Sequence, residues 1–192
     1  MLNLFAIFFA AVVTENFVFY RFLGLCPFLA MSNKTRTAVG MGIAVTFVLV
    51  ISNAITWLLQ HFVLDKLGLP FLQYASFILV IASLVQFIEM YMHKYQAALY
   101  KAFGIYLPLI TTNCVVLGLV LLTILKGYNF LEALIFAIGT GAGYTLALVI
   151  MSGIRERLDL ADVPEALKGI PLALIITGLL ALAFGGFVGM IK

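Results

Sequence analysis

Charge is rationed along this chain in a way that leaves few folds open. Asp, Glu, Lys and Arg are separated by uncharged stretches at residues 37–64, 67–88, 102–125, 133–154 and 169–191. Each stretch holds 22 residues or more, enough to cross a bilayer core once as a helix, which takes about 20. A sixth apolar stretch, from Met1 to Phe22, is interrupted by the carboxylate of Glu15. Of the 192 residues 65% are hydrophobic and 10% charged, whereas a soluble domain runs near half apolar and a quarter charged. A water-soluble globule and a disordered chain are both excluded. The expectation is an all-α integral membrane protein, a single membrane domain over residues 1–192 with six transmembrane helices in the lipid bilayer.

The remaining composition closes other routes. No Lys/Arg-rich run offers a nucleic-acid surface, so no nucleic-acid partner is expected. The 2 cysteines cannot build a disulfide framework. A cleaved leader would want a basic start and a small-residue cleavage site, and neither precedes Glu15. Orientation follows from where the cations fall. Arg21, Lys34, Arg36, Lys94, Lys101, Arg155, Arg157 and Lys168 lie in the loops after helices one, three and five, against Lys66, Lys126 and Lys192 on the other side. Both termini are therefore expected outside. The loop from Arg155 to Lys168, with Glu156, Asp159, Asp162 and Glu165, reads as a solvated cytoplasmic loop or a surface for a cytoplasmic partner.

An internal repeat is visible. Val13-Thr14-Glu15-Asn16-Phe17-Val18 echoes Ile110-Thr111-Thr112-Asn113-Cys114-Val115 at an offset of 97. Gly40-x-Gly42-x-x-x-Thr46 echoes Gly139-x-Gly141-x-x-Tyr144-Thr145 at an offset of 99. Two matches at nearly one offset predict a duplicated half, repeat one over about 1–95 and repeat two over about 96–192. Three spans per half is an odd number, so the halves must cross in opposite directions. Inverted repeats of this kind put their site at the repeat interface, on broken helices. The spacing predicts breaks in helices one and four, at Leu23-Gly24-Leu25-Cys26-Pro27-Phe28 and Leu107-Pro108-Leu109-Ile110-Thr111-Thr112-Asn113-Cys114.

Both breaks hold a cysteine, and these are the chain's only two. Pro27 is expected to disfavour helical geometry at Cys26, and Pro108 to free a carbonyl that Thr111, Thr112 or Asn113 re-satisfies. A membrane cysteine is ordinarily a small apolar packing residue. Placement in both breaks favours ligands instead, and a disulfide is a third reading. As ligands, two thiolates leave an iron–sulfur cluster two short, and His61 and His93 lie far along the chain. A related second chain bringing two more cysteines would complete a cluster shared across a heterodimer. Packing and ligation both stay open on the residues alone.

Glu15 is the carboxylate inside a span and, with Asn16 and Asn113, is a candidate for an ion pathway; the alternative is a protonated or Asn-paired structural group. Glu89 and His93 read as an interfacial ion pair. Gly139/Gly143 and Gly185/Gly189 have the spacing of close helix packing. The Gly139–Gly143 run lacks the lysine of a phosphate loop.

Phe22-Leu23-Gly24-Leu25-Cys26-Pro27-Phe28-Leu29, Leu107 to Cys114, Gly153-Ile154-Arg155-Glu156-Arg157-Leu158 and Ala161-Asp162-Val163-Pro164 together resemble the family of A subunits of the Rnf complex, along the whole chain. That complex is the ion-translocating ferredoxin:NAD oxidoreductase of bacterial cytoplasmic (inner) membranes. Near relatives are its E subunit and the D and E subunits of the sodium-pumping NADH:quinone oxidoreductase. The resemblance implies six helices in two inverted halves and the homologous E subunit as heterodimer partner, beside the B, C, D and G subunits. It also implies a [2Fe–2S] cluster held by Cys26, Cys114 and two partner cysteines, carrying electrons across the membrane coupled to Na+ or H+ translocation. Such a chain is a component of a translocase and not an enzyme in isolation. The alternatives are the equivalent chain of the sodium pump, an inverted-repeat small-solute transporter without a cluster, or a purely structural assembly component.

Overall fold

The computed structural model describes residues 2–64, 66, 72–95, 109–110, 112–161, 164 and 168–186, and of residues 2, 3, 63, 89, 91–93 and 95 the backbone alone. Leu107, Pro108, Thr111, Asp162, Glu165, Gly189, the repeat boundary beyond residue 95 and the side chains of Glu89 and His93 lie outside the described residues.

Seven α-helices and no strand occur among the described residues. In chain order they are α1 (Leu2–Phe9), α2 (Leu25–Met31), α3 (Thr35–Leu59), α4 (Gln73–Tyr95), α5 (Cys114–Leu125), α6 (Phe130–Leu158) and α7 (Ile170–Gly185). Wider π-helical turns extend α1 through Ala10–Thr14 and α3 through Gln60–Leu64. Local chemistry sets the ends. Glu132 accepts from the Asn129 N–H at 3.1 Å to open α6, and Arg155 and Arg157 sit in its last turn, where cations complement the helix dipole. Asn113 caps α5, its Oδ1 accepting from the Val115 N–H at 3.1 Å.

The two long helices, α3 and α6, form the central pair and run antiparallel. Asn53 near the end of α3 donates to the Ala133 carbonyl near the start of α6 at 2.8 Å. At the opposite end the Ser152 hydroxyl of α6 meets that of Thr35, the first residue of α3, at 2.9 Å. Between these ties the contact is reciprocal. A Cβ on Gly42 would stand 2.5 Å from Thr145, and a Cβ on Gly141 would stand 2.5 Å from Thr46. Each threonine hydroxyl donates back into its own helix, Thr46 to Gly42 at 2.7 Å and Thr145 to Gly141 at 2.8 Å. Of the positions that match at the offset of 99, Gly42 and Gly141 thus touch Thr145 and Thr46 across the pair.

α1 packs on α6 through Gly139 and Gly143, where added Cβ atoms would meet Ala11 and the Val12 backbone at 3.0 Å. Close packing explains that glycine pair; a Cβ on Gly185 would meet nothing within 4 Å among the described residues. Gly141→Ala must displace the Thr46 side chain and is expected to cost about 1–3 kcal/mol. A lowered thermal midpoint in detergent would register this, with partial recovery when Thr46→Ala is added.

Apolar side chains cover the exterior: Phe5, Leu79 and Leu182 are each more than 70% exposed. Asn16, Asn53, Asn113, Thr56 and Thr123 are buried, and intramolecular hydrogen bonds tie each of them down. A lipid solvent demands this internal pairing.

Candidate functional site

The first break begins where the π-turn closes, with the Glu15 N–H donating to the Ala10 carbonyl at 2.7 Å. The backbone then runs irregularly to Gly24, and Asn16 supports it. Its Nδ2 donates to the carbonyls of Gly143 (2.9 Å) and Val12 (3.2 Å), while its Oδ1 accepts from the Val18 N–H (3.0 Å). Phe22 and Gly24 both take positive φ, +54° and +77°, and turn the chain into α2. Glycine is required at the second of these. A Cβ there would lie 2.5 Å from Val115 and 2.9 Å from Tyr144.

Cys26 follows within the first turn of α2. The expectation that Pro27 bars helical geometry at Cys26 is corrected: Pro27 lies inside α2. A proline in the first turn removes an N–H that has no helical partner anyway. The break lies one step earlier, at Gly24.

The second break delivers Cys114 as the first residue of α5. The Gly24 N–H donates to the Cys114 Sγ at 2.9 Å, so the two breaks meet. Tyr144, buried at the midpoint of α6, donates its hydroxyl to the Gly24 carbonyl at 3.3 Å. That hydroxyl lies within electrostatic reach of both Cys26 and Cys114 and beside the Asn113 amide. Both thiols are free and exposed at the surface of the chain. They form no disulfide here, and no third His, Cys, Asp or Glu joins them among the described residues.

Glu15 finds a cation. Its Oε2 accepts from Lys126 Nζ at 2.6 Å, both side chains about 30% exposed. Lys126 caps the end of α5 and lies over the rings of Phe136 and Tyr128 at 5.3 and 5.7 Å. The pair lines a recess of about 340 Å³ with Thr14, Tyr20 and Tyr128. Charge counting puts Lys126 in a loop; its long stem lets the ammonium reach back along the helix.

The far end of α2 is clamped to α6. Arg155 donates to the Leu29 carbonyl (2.8 Å), the Ser32 hydroxyl (3.0 Å) and Asn33 Oδ1 (2.6 Å). Glu156 accepts from the Thr35 N–H (3.0 Å) and hydroxyl (2.8 Å). Three positions that carry the site, Tyr144, Lys126 and Arg155, are not singled out as site residues by any motif. Tyr144 leaves a trace as the polar residue in helix five where the repeat has Val45, and Arg155 falls in the Gly153–Leu158 stretch that carries the family resemblance.

An apolar exterior, buried polar side chains tied back into the fold and a backbone N–H of Gly24 on the Cys114 sulfur mark a helical membrane protein. Residues 4–191 match the family described as Rnf-Nqr subunit, membrane protein, and the chain belongs to that family. It is 56% identical over 191 residues to the A subunit of the ion-translocating oxidoreductase complex of Syntrophotalea carbinolica, covering 100% of this chain and 99% of that one. It is 53% identical to the A subunit of the Na(+)-translocating ferredoxin:NAD(+) oxidoreductase complex of Acetobacterium woodii, over 94% of each chain. The A subunit of the ion-translocating oxidoreductase complex of Vibrio cholerae is 49% identical, again over 94% of each.

Proposed function

We propose that the chain is the A-type membrane subunit of a bacterial ion-translocating ferredoxin:NAD oxidoreductase, and that its two cysteines hold half of a [2Fe–2S] cluster. Full-length likeness to proteins bearing that name supports the first part. The observation that carries the second is the Gly24 N–H bond to Cys114 Sγ, which joins the two broken segments at one point. The donor set fits. Two free thiols reach the surface, a backbone N–H already serves one sulfur, and only glycine fits beside them. Such N–H groups tune metal-bound sulfur. The missing two ligands come from the homologous E subunit docked on this face, within a complex that also holds the B, C, D and G subunits.

A [2Fe–2S] cluster bound there takes up and gives up one electron at a time. The residues of this chain do the rest. Cys26 and Cys114 fix its place at the midpoint of α6, and Tyr144 holds Gly24. The Arg155 clamp holds the α2 that carries Cys26. Glu15 offers a carboxylate to a cation entering the recess, in competition with Lys126, with Asn16 and Asn113 behind it along the ion route. Six spans in two inverted halves are supported by the reciprocal Gly42–Thr145 and Gly141–Thr46 contacts and by the parallel capping bonds of Asn16 and Asn113. Both termini then face outward from the cytoplasmic membrane.

The test uses inverted vesicles carrying the complex. Deleting this chain should abolish both NAD reduction by ferredoxin and the cation uptake coupled to it, and resupplying it should restore both. Coupled activity that survives the deletion would refute the proposal. Glu15→Gln is expected to leave electron transfer running while uptake falls by an order of magnitude or more; uptake at the wild-type level would remove Glu15 from the route.

A further inference from the structure

A recess of about 350 Å³ opens where α6 ends and α7 begins, within the size range of small-molecule sites. Its polar lining comes from Arg155 in the last turn of α6, Asp159 directly after that helix, and Lys168 just before α7. Its apolar lining comes from Leu158 on α6 and from Leu172 and Ile176, one turn apart on α7. α6 is long and apolar enough to cross a membrane, so its charged end stands at the level of lipid headgroups. Eleven residues of α6, about 16 Å of helix, separate Arg155 from Tyr144 and the cysteine site.

The donors here are only partly used. All three hydrogen bonds that hold Arg155 run from Nη1. Nη2, Nε and the Lys168 ammonium make none among the described residues. Gly169 opens α7 with no side-chain cap, which adds the positive end of a helix dipole. A plain anion would suit these groups, but Asp159 acts electrostatically on Arg155 and would repel it. Two cations, one carboxylate and an adjoining apolar wall complement an amphiphile with a phosphate, an amine and an acyl chain. The recess at Glu15 differs, because its one carboxylate is already neutralised by Lys126.

We propose that the recess between α6 and α7 is a phospholipid site that selects a phosphoethanolamine headgroup. The phosphate lies on Arg155 and Lys168, the ammonium on Asp159, and an acyl chain along Leu172 and Ile176. Basic pockets between membrane helices hold phospholipid headgroups in this way; the carboxylate adds the preference for an amine. The site needs neither the cluster nor Glu15.

The experiment places the purified complex in phosphatidylcholine nanodiscs with a trace of phosphatidylethanolamine bearing a diazirine on its acyl chain. Adducts formed on illumination are mapped by mass spectrometry. They should fall on α7 between Leu172 and Ile176, and unlabelled phosphatidylethanolamine should suppress them about tenfold more effectively than phosphatidylglycerol, the worth of one charge-assisted hydrogen bond. Lys168→Gln should lower the labelling by a similar factor, and Asp159→Asn should erase the preference between the two competitors. Labelling that is unchanged in Lys168→Gln would overturn the site. Equal competition by phosphatidylglycerol in wild type would overturn the choice of headgroup. Soluble glycerophosphoethanolamine should compete poorly; competition as strong as the lipid's would replace the lipid with a free phosphate ester and overturn the proposal.

Discussion

Replacing Cys26 or Cys114 with alanine is expected to remove the reduced-state EPR signal and to lower ferredoxin-driven NAD reduction by at least about 100-fold. That floor is the upper end of what losing a mere outer-shell partner of a metal site costs. Stability should hardly change for Cys26→Ala, whereas Cys114→Ala leaves the Gly24 N–H without its acceptor and should cost about 1–3 kcal/mol. Both thiols are exposed in the chain, and substitutions away from packed cores and such bonds fall within about 0.5 kcal/mol. The combination is diagnostic. A packing cysteine would give the reverse pattern, some loss of stability with spectrum and electron transfer intact. A structural assembly component would tolerate the loss of both thiols.

Gly24→Ala should be the most damaging substitution that leaves both ligands in place. Gly24 sits at φ +77°, where an L side chain costs about 1–2 kcal/mol. The new Cβ would also stand 2.5 Å from Val115 Cγ2 and 2.9 Å from the Tyr144 ring, and such overpacking costs about 1–3 kcal/mol. Together a loss of roughly 2–5 kcal/mol is expected, read as a lower thermal midpoint. Relief of the clash would pull the Gly24 N–H away from Cys114 Sγ, so the iron content should fall as well. Adding Val115→Ala should recover the packing part and leave the backbone part. A variant of wild-type stability and iron content would show that Gly24 does not set the site.

Much of this architecture is legible in the residues because lipid is a demanding solvent. It forces long uncharged runs, and with them the helical class. Breaks must be marked by Gly, Pro or capping amides, and Gly24 and Asn113 stand in plain view. The Gly/Thr match at the offset of 99 points to the α3–α6 contact, since small residues are conspicuous in a span.

What stays hidden depends on side chains meeting across the fold. Lys126 reads as loop punctuation, yet its ammonium pairs with Glu15, 111 residues away. Pro27 reads as a helix breaker at Cys26 because sequence does not say that it falls in a first turn. The Gly24–Cys114 bond joins residues 90 apart, beyond any motif. Tyr144 shows in the sequence only as a departure from the repeat, and its tie to Gly24 exists only once α6 crosses both breaks.

Mössbauer spectroscopy of the 57Fe-grown complex, purified with and without the Cys26→Ala/Cys114→Ala pair of substitutions, tests the cluster assignment most directly. Wild type should show a diferric centre with thiolate-type parameters that converts on one-electron reduction to one ferric and one ferrous site. The double variant should lack that centre while the other centres of the complex persist. An iron spectrum identical in the two preparations would contradict the assignment.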